Sequence, residues 1–411
     1  MREKRFRPFF FVQFLGAFND NLFKTALITL VVFQSASLTS LDPAMLATLL
    51  PGVFIMPFFL FSATSGQIAD KYEKSLLMRL VKLFEIGIMM FAALGFIFHV
   101  FWLLVLALFL MGMHSTLFGP VKYAYLPQHL NVRELLGGNG MVEMGTFIAI
   151  LLGQIGGAWL VMQSGGEVWA AVAVLFFAVL GYVFSQQVPD SPAADAALKI
   201  NWNPLTETHR NIVLIRQQPV LWFAVLGISW FWFFGATLLA QFPQFAKAVL
   251  HGDESLFILI LALFSVGVGA GSLFCEKLSK GLVEIGLVPI GSLGLTLFGV
   301  DLYLSSAHFS ARLLMDIALI GFFGGIFIVP LYTLVQSVAQ KTHQSRVIAA
   351  NNIMNALFMV LSAVFAMLIF NLGFNIAQLF LVTALLNVLV MIYLCLRQPE
   401  YFIRMKRWLR F

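Results

Sequence analysis

The chain has 411 residues, of which 60% are hydrophobic and only 11% are charged, and its net charge is +6. Soluble domains usually have about 25% charged residues, so this composition excludes an ordinary soluble enzyme or nucleic-acid-binding domain. The mean hydropathy of +0.92 indicates a polytopic membrane protein. Two cysteines, Cys275 and Cys395, lie far apart and predict neither a disulfide framework nor a metal site.

Twelve apolar segments are long enough to cross a bilayer as helices, for which about 20 residues are needed. They lie near residues 8–36, 43–69, 75–98, 100–122, 134–163, 168–187, 219–248, 255–276, 282–306, 311–337, 345–371 and 375–396. The first segment is too long for a signal peptide, so we predict an uncleaved helix. Counted from a cytoplasmic N-terminus, most of the 25 lysines and arginines fall at cytoplasmic ends, including Lys74 and Lys82. This asymmetry predicts that both termini are cytoplasmic.

The longest stretch outside the spans is 188–218, which separates six segments from six. Its Pro and Ser residues are typical of a linker. We therefore predict four regions, namely an N-terminal six-helix bundle over 1–187, a cytoplasmic linker over 188–218, a C-terminal six-helix bundle over 219–398 and a basic cytoplasmic tail over 399–411. The basic tail also indicates contact with anionic membrane lipids.

The two halves of the chain have similar features in the same order. The sequence after the second span, 66–74, resembles that after the eighth, 272–280. Gly119-Pro120 matches Val329-Pro330, and Asn139 matches the pair Asn351-Asn352. These matches indicate a duplicated six-helix unit. Two parallel six-helix repeats are the layout of the all-α major facilitator fold, in which the substrate site lies at the midplane between the halves.

The first span is interrupted by four polar residues, Asn19, Asp20, Asn21 and Lys24. An ionisable side chain in the hydrocarbon layer costs about 2.5–3.5 kcal/mol on insertion scales. Asp20 and Lys24 are four residues apart and share a helix face, so one interpretation is that they neutralise each other between packed helices. The interpretation that we favour is that Asp20 lines a central polar cavity.

The loop after the second span has the pattern Gly66-x-x-x-Asp70-Lys71-x-x-Lys74. Gly66 permits close helix packing, and the three charged residues predict a network that closes a cytoplasmic gate in one conformation. The alternative is an ordinary solvated turn. The matching gate residues after the eighth span are Glu276, Lys277 and Lys280.

The fourth and fifth spans hold further membrane-embedded charge. Lys122 follows Pro120, which breaks the helical hydrogen-bond ladder, and Glu143 lies about two turns into the fifth span. Lys122 is predicted to bind substrate, although it could instead snorkel to the cytoplasmic interface.

Several of these motifs together resemble the lysophospholipid transporter family of the major facilitator superfamily. The similar segments are 17–21, 66–71, 119–123 and 139–143. Segments 229–233, 241–243 and 283–289 are most similar to the branch fused to an acyltransferase and an acyl-carrier-protein synthetase. The resemblance implies transport of lysophosphatidylethanolamine-type lipids from the outer to the inner leaflet of the bacterial inner membrane, where they are reacylated. It also implies an acyltransferase as a partner or fused domain.

The resemblance implies that Asp20 and Lys122 contact the lipid headgroup. The stand-alone family members have an arginine near position 239, where this chain has Leu239. Contacts from the second half are therefore expected from Gln241 or from asparagines of the eleventh span. The predicted substrate-binding residues are Asp20, Lys122, Glu143, Asn19, Asn21, Lys24, Tyr123, Asn139, Gln241, Asn351, Asn352 and Asn355.

The sequence contains no motif that predicts covalent chemistry or a cofactor. None of the seven histidines has an aspartate at the His-x4-Asp spacing of acyltransferases, and no zinc motif, P-loop or nucleophile elbow is present. Two alternatives to lysophospholipid transport remain open at this stage. One is a proton-coupled exporter of amphiphilic drugs that uses Asp20 as its proton site. The other is a non-transporting scaffold for acyltransferase domains.

Overall fold

The computed structural model describes residues 3–38, 43–279 and 282–410, and these residues form helices and connecting turns with no strand. The helices are α1 (Arg7–Leu38), α2 (Pro43–Lys71), α3 (Lys74–Ile97), α4 (Phe101–His129), α5 (Val132–Val161), α6 (Gly166–Ser185), α7 (Pro204–Arg216), α8 (Pro219–Gln244), α9 (Glu254–Leu278), α10 (Leu287–Ser305), α11 (Ala311–Val338), α12 (Gln344–Asn371), α13 (Ile376–Arg397) and α14 (Glu400–Trp408). A π-helical turn, Phe245–Val249, continues α8, and a 3-10 turn, Lys341–His343, precedes α12.

Each of the twelve predicted spans corresponds to one helix. Eleven helices of the described ranges are long and apolar enough to cross a membrane, and α1, with its polar middle, is not among these eleven. The predicted end of the fourth span, at 122, is wrong because α4 continues to His129. Contacts with the chain before α1 hold this extension: Arg5 Nη1 donates to the His129 carbonyl, and Tyr125 Oη donates to the Arg5 carbonyl, both at 2.7 Å.

The helices form two compact units. The first contains Met1–His129, Ala149–Ile212 and Gln340–Ile353, and the second contains Leu130–Ile148, Val213–Ala339 and Met354–Phe411. Helices α5 and α12 therefore contribute one part to each unit. The predicted division into 1–187, 188–218, 219–398 and 399–411 is a division of the sequence and stays a prediction.

In the first unit, α2 packs against α4, α3 packs against α4 and α6, and α1 packs against α2, α4 and α6. Its core is a continuous cluster of buried Leu, Ile, Val, Ala, Met and Phe side chains from these helices, including Phe23, Phe96 and Met111. Burial of such side chains between helices stabilises the unit through close packing, since lipid tails are themselves apolar.

The second unit repeats these pairings. Helix α9 packs against α11, α10 packs against α11 and α13, and α8 packs against α9, α11 and α13. Helices α8, α9, α10, α11 and α13 correspond in chain order to α1, α2, α3, α4 and α6. With this correspondence, the six helix pairings of the second unit are the same as those of the first. The duplicated layout expected from the sequence is therefore present in the helix packing, as the major facilitator fold requires.

Candidate substrate site and gate

Asp20 lies in the middle of α1 and is only partly exposed. Ser115 Oγ donates a hydrogen bond of 3.3 Å to its Oδ2, whereas Oδ1 is buried and has no hydrogen-bond partner among the described residues. The Lys24 ammonium lies 4.7 Å from the centroid of the Phe54 ring. Among the described residues, no ion pair or hydrogen bond joins Asp20 to Lys24. The Asp20 carboxylate is therefore only partly satisfied by hydrogen bonds within the described residues.

Next to Asp20, Asn19 belongs to a buried charged cluster that the sequence analysis missed. Its Nδ2 donates to Glu85 Oε1 at 2.7 Å and to the Val174 carbonyl at 3.1 Å. Lys82 Nζ donates to Glu85 Oε2 at 2.6 Å, and both side chains are fully buried. The placement of Lys82 at a cytoplasmic end is therefore wrong, because its ammonium is paired inside the helix bundle of the first unit.

His114 completes this cluster from α4. Its Nε2 lies 3.2 Å from Glu85 Oε2, and its ring stacks on Phe118. The signal in the sequence was the i, i+3 spacing of Lys82 and Glu85 within an apolar segment, which places opposite charges on one helix face. That signal predicts a pair, but it does not say that His114 and Asn19 join it from other helices.

The remaining candidates of the first unit occupy three different environments. Asn21 Nδ2 donates to the Ala17 carbonyl of its own helix at 2.8 Å. The ammonium of Lys122, which is half-buried in α4, lies 4.6 Å from the Tyr123 ring centroid. Asn351 is fully buried, and both atoms of its amide lack a hydrogen-bond partner within the described residues. A buried amide of this kind is free to bond to a ligand or water.

Asn352 packs closely against α4. A Cβ atom built on Gly119 would lie 2.6 Å from Asn352 Nδ2, so a larger residue at 119 would require the Asn352 side chain to move. In the second unit, Asn139 also contacts a neighbouring helix, but it does so through hydrogen bonds. There Asn139 Nδ2 donates to Gln336 Oε1 at 2.7 Å, and Gln336 Nε2 donates back to Asn139 Oδ1 at 3.0 Å. Asn139 thus joins α5 to α11 through a reciprocal amide pair.

The other candidates of the second unit are Glu143, Asn355 and Gln241. Glu143 is 1% exposed in α5, and Gln241 is half-buried near the end of α8. Asn355 Oδ1 accepts a hydrogen bond of 3.0 Å from Ser229 Oγ. The predicted substrate-binding residues are therefore divided between the units, with Asp20, Lys122 and Asn351 in the first and Glu143, Asn355 and Gln241 in the second.

The predicted gate residue Asp70 is fully buried at the end of α2. Its Oδ1 accepts from the backbone N–H of Ser345 at 2.9 Å, and its Oδ2 accepts from Arg346 Nε at 3.0 Å. The first of these bonds places a carboxylate at the N-terminus of α12, where the helix dipole favours negative charge. Gly66 allows this contact, because a Cβ at that position would lie 2.7 Å from Ala349 Cβ.

The observed contacts of Asp70 differ from the predicted gate network in their cation. The cation paired with Asp70 is Arg346, which was not among the predicted gate residues. Lys74 is 1% exposed, and its Nζ has no hydrogen-bond partner in the described part of the chain. The Lys71 ammonium lies 5.7 Å from the Tyr72 ring centroid.

In the second unit, the carboxylate of Glu276 lies against α5, where a Cβ on Gly137 would be 2.5 Å from its carboxyl carbon. This contact corresponds in the repeat to the contact of Asp70 with the start of α12. The Lys277 ammonium is exposed and lies 6.0 Å from the Phe274 ring centroid. Lys280, the last predicted gate residue, lies outside the described residues.

Comparison with known proteins agrees with this helix arrangement. A family model described as Major Facilitator Superfamily matches residues 9–363 and 242–403. Two relatives named lysophospholipid transporter LplT, from Cronobacter sakazakii and Enterobacter sp., are each 28% identical over 80% of this chain and 79% of their own length. Among solved structures, the human organic anion transporter MFSD10 has a TM-score of 0.77 at 15% identity, covering 96% of this chain and 100% of that one. FucP in the outward conformation has a TM-score of 0.70 at 13% identity, covering 96% and 98%. At these identities the solved structures show a shared fold alone.

Proposed function

The chain belongs to the Major Facilitator Superfamily and is a multi-pass membrane transporter, and we propose that its cargo is a lysophospholipid of the lysophosphatidylethanolamine type. In this proposal alternating access moves the lipid from the outer to the inner leaflet of a bacterial inner membrane, where it is reacylated. The names of the relatives, which match over about four fifths of the chain, support this cargo.

The observation that carries the proposal is the state of Asp20. Its carboxylate lies in the middle of α1, the first predicted membrane span, holds one weak hydrogen bond from Ser115 and has a second oxygen with no partner among the described residues. Charged groups at this depth are costly and are typical of substrate pathways. An ammonium headgroup would supply the missing donors and the opposite charge in one contact.

A zwitterionic headgroup also needs a cation for its phosphate. Lys122 provides one in the same unit as Asp20. Glu143 is a buried acid of the second unit and stays a predicted substrate contact there. The 44 phenylalanines and 17 methionines supply adaptable apolar walls for a single acyl chain, although most of them pack in the core or face lipid. We propose that Asn19 and Asn351, in the same unit as Asp20, support the headgroup site, and that Asn355 is a substrate contact of the second unit.

We further propose that the contact of Asp70 with Ser345 and Arg346 holds one of the two alternating states. Asp70 is fully buried and accepts two hydrogen bonds there, one from a guanidinium. Separating Asp70 from the start of α12 would break both hydrogen bonds, and the carboxylate would then need water or another partner.

The direct test is uptake of labelled lysophosphatidylethanolamine into spheroplasts of a host that lacks its own lysophospholipid uptake. Asp20→Asn and Lys122→Ala should each lower uptake by roughly ten- to hundredfold, because a hydrogen bond to a charged group contributes about 1.5–3 kcal/mol. Matched controls are Asp190→Asn and Lys341→Ala, both at exposed positions, which should leave uptake unchanged.

The assay is run with and without a proton uncoupler. Uptake by the unaltered protein that survives the uncoupler supports a lipid carrier, whereas no uptake at all would refute the proposed cargo. Efflux of amphiphilic cations that the uncoupler abolishes would favour the proton-coupled exporter. Uptake that neither substitution affects would retain the cargo but reject Asp20 and Lys122 as its site, and lipid repair without any uptake would favour the scaffold.

A further inference from the structure

The short helix α14 is anchored to the second unit along one face. Tyr401 is 1% exposed, and Trp408 Nε1 donates a hydrogen bond of 2.9 Å to the Leu278 carbonyl at the end of α9. Arg404 Nη1 donates to the Val283 carbonyl at 3.3 Å. A Cβ on Gly286 would lie 2.6 Å from the Arg404 backbone, so the two chain segments are in close contact. This face fixes the orientation of the whole helix.

The other faces of α14 are amphipathic. With 3.6 residues per turn, Phe402, Lys406 and Leu409 share one exposed stripe. The Lys406 ammonium lies 4.4 Å from the Phe402 ring centroid, so cation and ring act as one surface. Two further exposed cations are Arg407, on the neighbouring stripe of α14, and Arg410, in the turn that follows the helix. The exposed surface therefore combines large apolar side chains with positive charge.

We propose that this surface of α14 binds anionic phospholipid headgroups, with Phe402 and Leu409 inserted at the boundary between headgroups and acyl chains. A helix that exposes large apolar side chains together with basic side chains lies in the plane of a membrane interface. Basic residues next to a membrane helix gain about 1 kcal/mol each at an anionic lipid surface. The inference does not depend on which cargo the transporter carries.

The position of α14 favours lipid as the occupant. The helix begins three residues after α13 ends at Arg397, and α13 presents an exposed apolar stripe that includes Leu389, Ile392 and Leu396. Leu396 is 75% exposed, as expected for a side chain that faces acyl chains beside the start of α14. The apolar surface is thus continuous from the spanning helix to the amphipathic one.

Lipid bound here would act on the connection between α9 and α10. Trp408 donates a hydrogen bond to the last residue of α9, and Arg404 donates one to the segment that leads into α10. The predicted gate residues Glu276 and Lys277 immediately precede Leu278, whose carbonyl accepts the Trp408 bond. The anionic lipid content of the membrane is therefore linked to the segment that carries the second gate motif.

The test is amide hydrogen exchange of residues 400–410 in the full chain, reconstituted in nanodiscs of phosphatidylcholine with increasing phosphatidylglycerol. Exchange should slow as the phosphatidylglycerol fraction rises, and about 0.5 M salt should reverse the effect because it screens exposed charges. The triple variant Lys406→Gln/Arg407→Gln/Arg410→Gln should lose this dependence. Three cations at roughly 1 kcal/mol each correspond to a loss on the order of 100-fold in the affinity of this segment for the anionic lipid surface.

Two further variants make the result specific. Lys4→Gln/Arg210→Gln/Lys341→Gln removes three exposed cations of the first unit and should keep the phosphatidylglycerol dependence. Lys406→Arg/Arg407→Lys/Arg410→Lys keeps all three positive charges and should also keep the phosphatidylglycerol dependence. This variant shows whether the glutamine variant fails because it lost charge or because the helix no longer folds. Exchange in the unaltered chain that ignores phosphatidylglycerol, or a glutamine variant that still responds, would overturn the proposal. Protection that appears only when cytosolic protein is added would overturn it as well.

Discussion

At the scale of single residues, the two carboxylates Glu85 and Asp20 of the first unit differ in how fully they are hydrogen-bonded. Glu85 is fully buried and receives hydrogen bonds from Lys82 and Asn19, so its charge and both of its oxygens are satisfied within the protein. Asp20 is one residue from Asn19, but within the described ranges its only hydrogen bond comes from Ser115. This difference in partners is our reason for proposing Asp20 as a ligand contact and Glu85 as a structural one.

Replacement of Glu85 by Gln is expected to destabilise the protein without removing a ligand contact. The change leaves the Lys82 ammonium fully buried without its counter-charge, and breaking a buried ion pair in this way costs about 3–5 kcal/mol. Thermal unfolding of the purified protein in detergent at a fixed scan rate measures the loss.

The matched control is the double variant Lys82→Met/Glu85→Met, which removes both charges together. Replacement of a buried pair by apolar residues of similar size is often neutral, so this variant should recover most of the lost stability. If Glu85→Gln unfolds at the same temperature as the unaltered chain, the structural role of the pair is wrong.

At the scale of helices, glycine determines where α2 and α12 meet. Gly66 faces Ala349, and a Cβ there would also lie 3.0 Å from both the Arg346 Cα and the Ser345 carbonyl oxygen. The approach brings the Asp70 carboxylate, one turn further along α2, to the start of α12. The sequence pattern predicted close packing at Gly66, but the helix that packs there is visible only in the structure.

Gly66→Ala is expected to lower the stability of the first unit by about 1–3 kcal/mol, as overpacking of a tight helix contact does. Gly52 lies in the same helix and would have no atom within 4 Å of an added Cβ. Gly52→Ala should therefore change stability by less than about 1 kcal/mol, since only helix propensity differs. Thermal unfolding of both variants in one detergent provides the comparison, and equal effects would contradict the packing argument.

At the scale of the whole molecule, the arrangement of positive charge predicts the orientation in the membrane. The 25 lysines and arginines are concentrated at the ends predicted to be cytoplasmic, even after Lys82 is removed from that set. The linker position Trp202 is 71% exposed, and Leu372, between α12 and α13, is 72% exposed. Each is suited to a labelling site, and the two should lie on opposite sides of the bilayer.

The orientation can be measured in a background that carries Cys275→Ala and Cys395→Ala, with either Trp202→Cys or Leu372→Cys added. A membrane-impermeant maleimide should label the cysteine at 372 in intact spheroplasts and the cysteine at 202 only after permeabilisation. Equal labelling of both in detergent is the control for reactivity. The reverse pattern in intact spheroplasts would show that the termini are not cytoplasmic.

Composition and local sequence pattern are sufficient to predict several features of this protein. Apolar length predicted the spanning helices, since the bilayer sets that length, and the order of Gly66, Gly119 and Asn139 with their later counterparts predicted a duplicated fold. The superfamily followed from the same motifs and was confirmed by the family model. These properties need no knowledge of which helices touch.

Only the tertiary structure decided which partners each buried polar group has. Asn19 and His114 join Lys82 and Glu85 because α1, α3 and α4 meet there, and Asp70 finds Arg346 across 276 positions of the chain. Pairings of this kind depend on helix rotation and packing, which distant residues set together. The desolvation of a charge, and hence whether it is satisfied or left available for a ligand, is therefore a property of the folded unit and not of the local sequence.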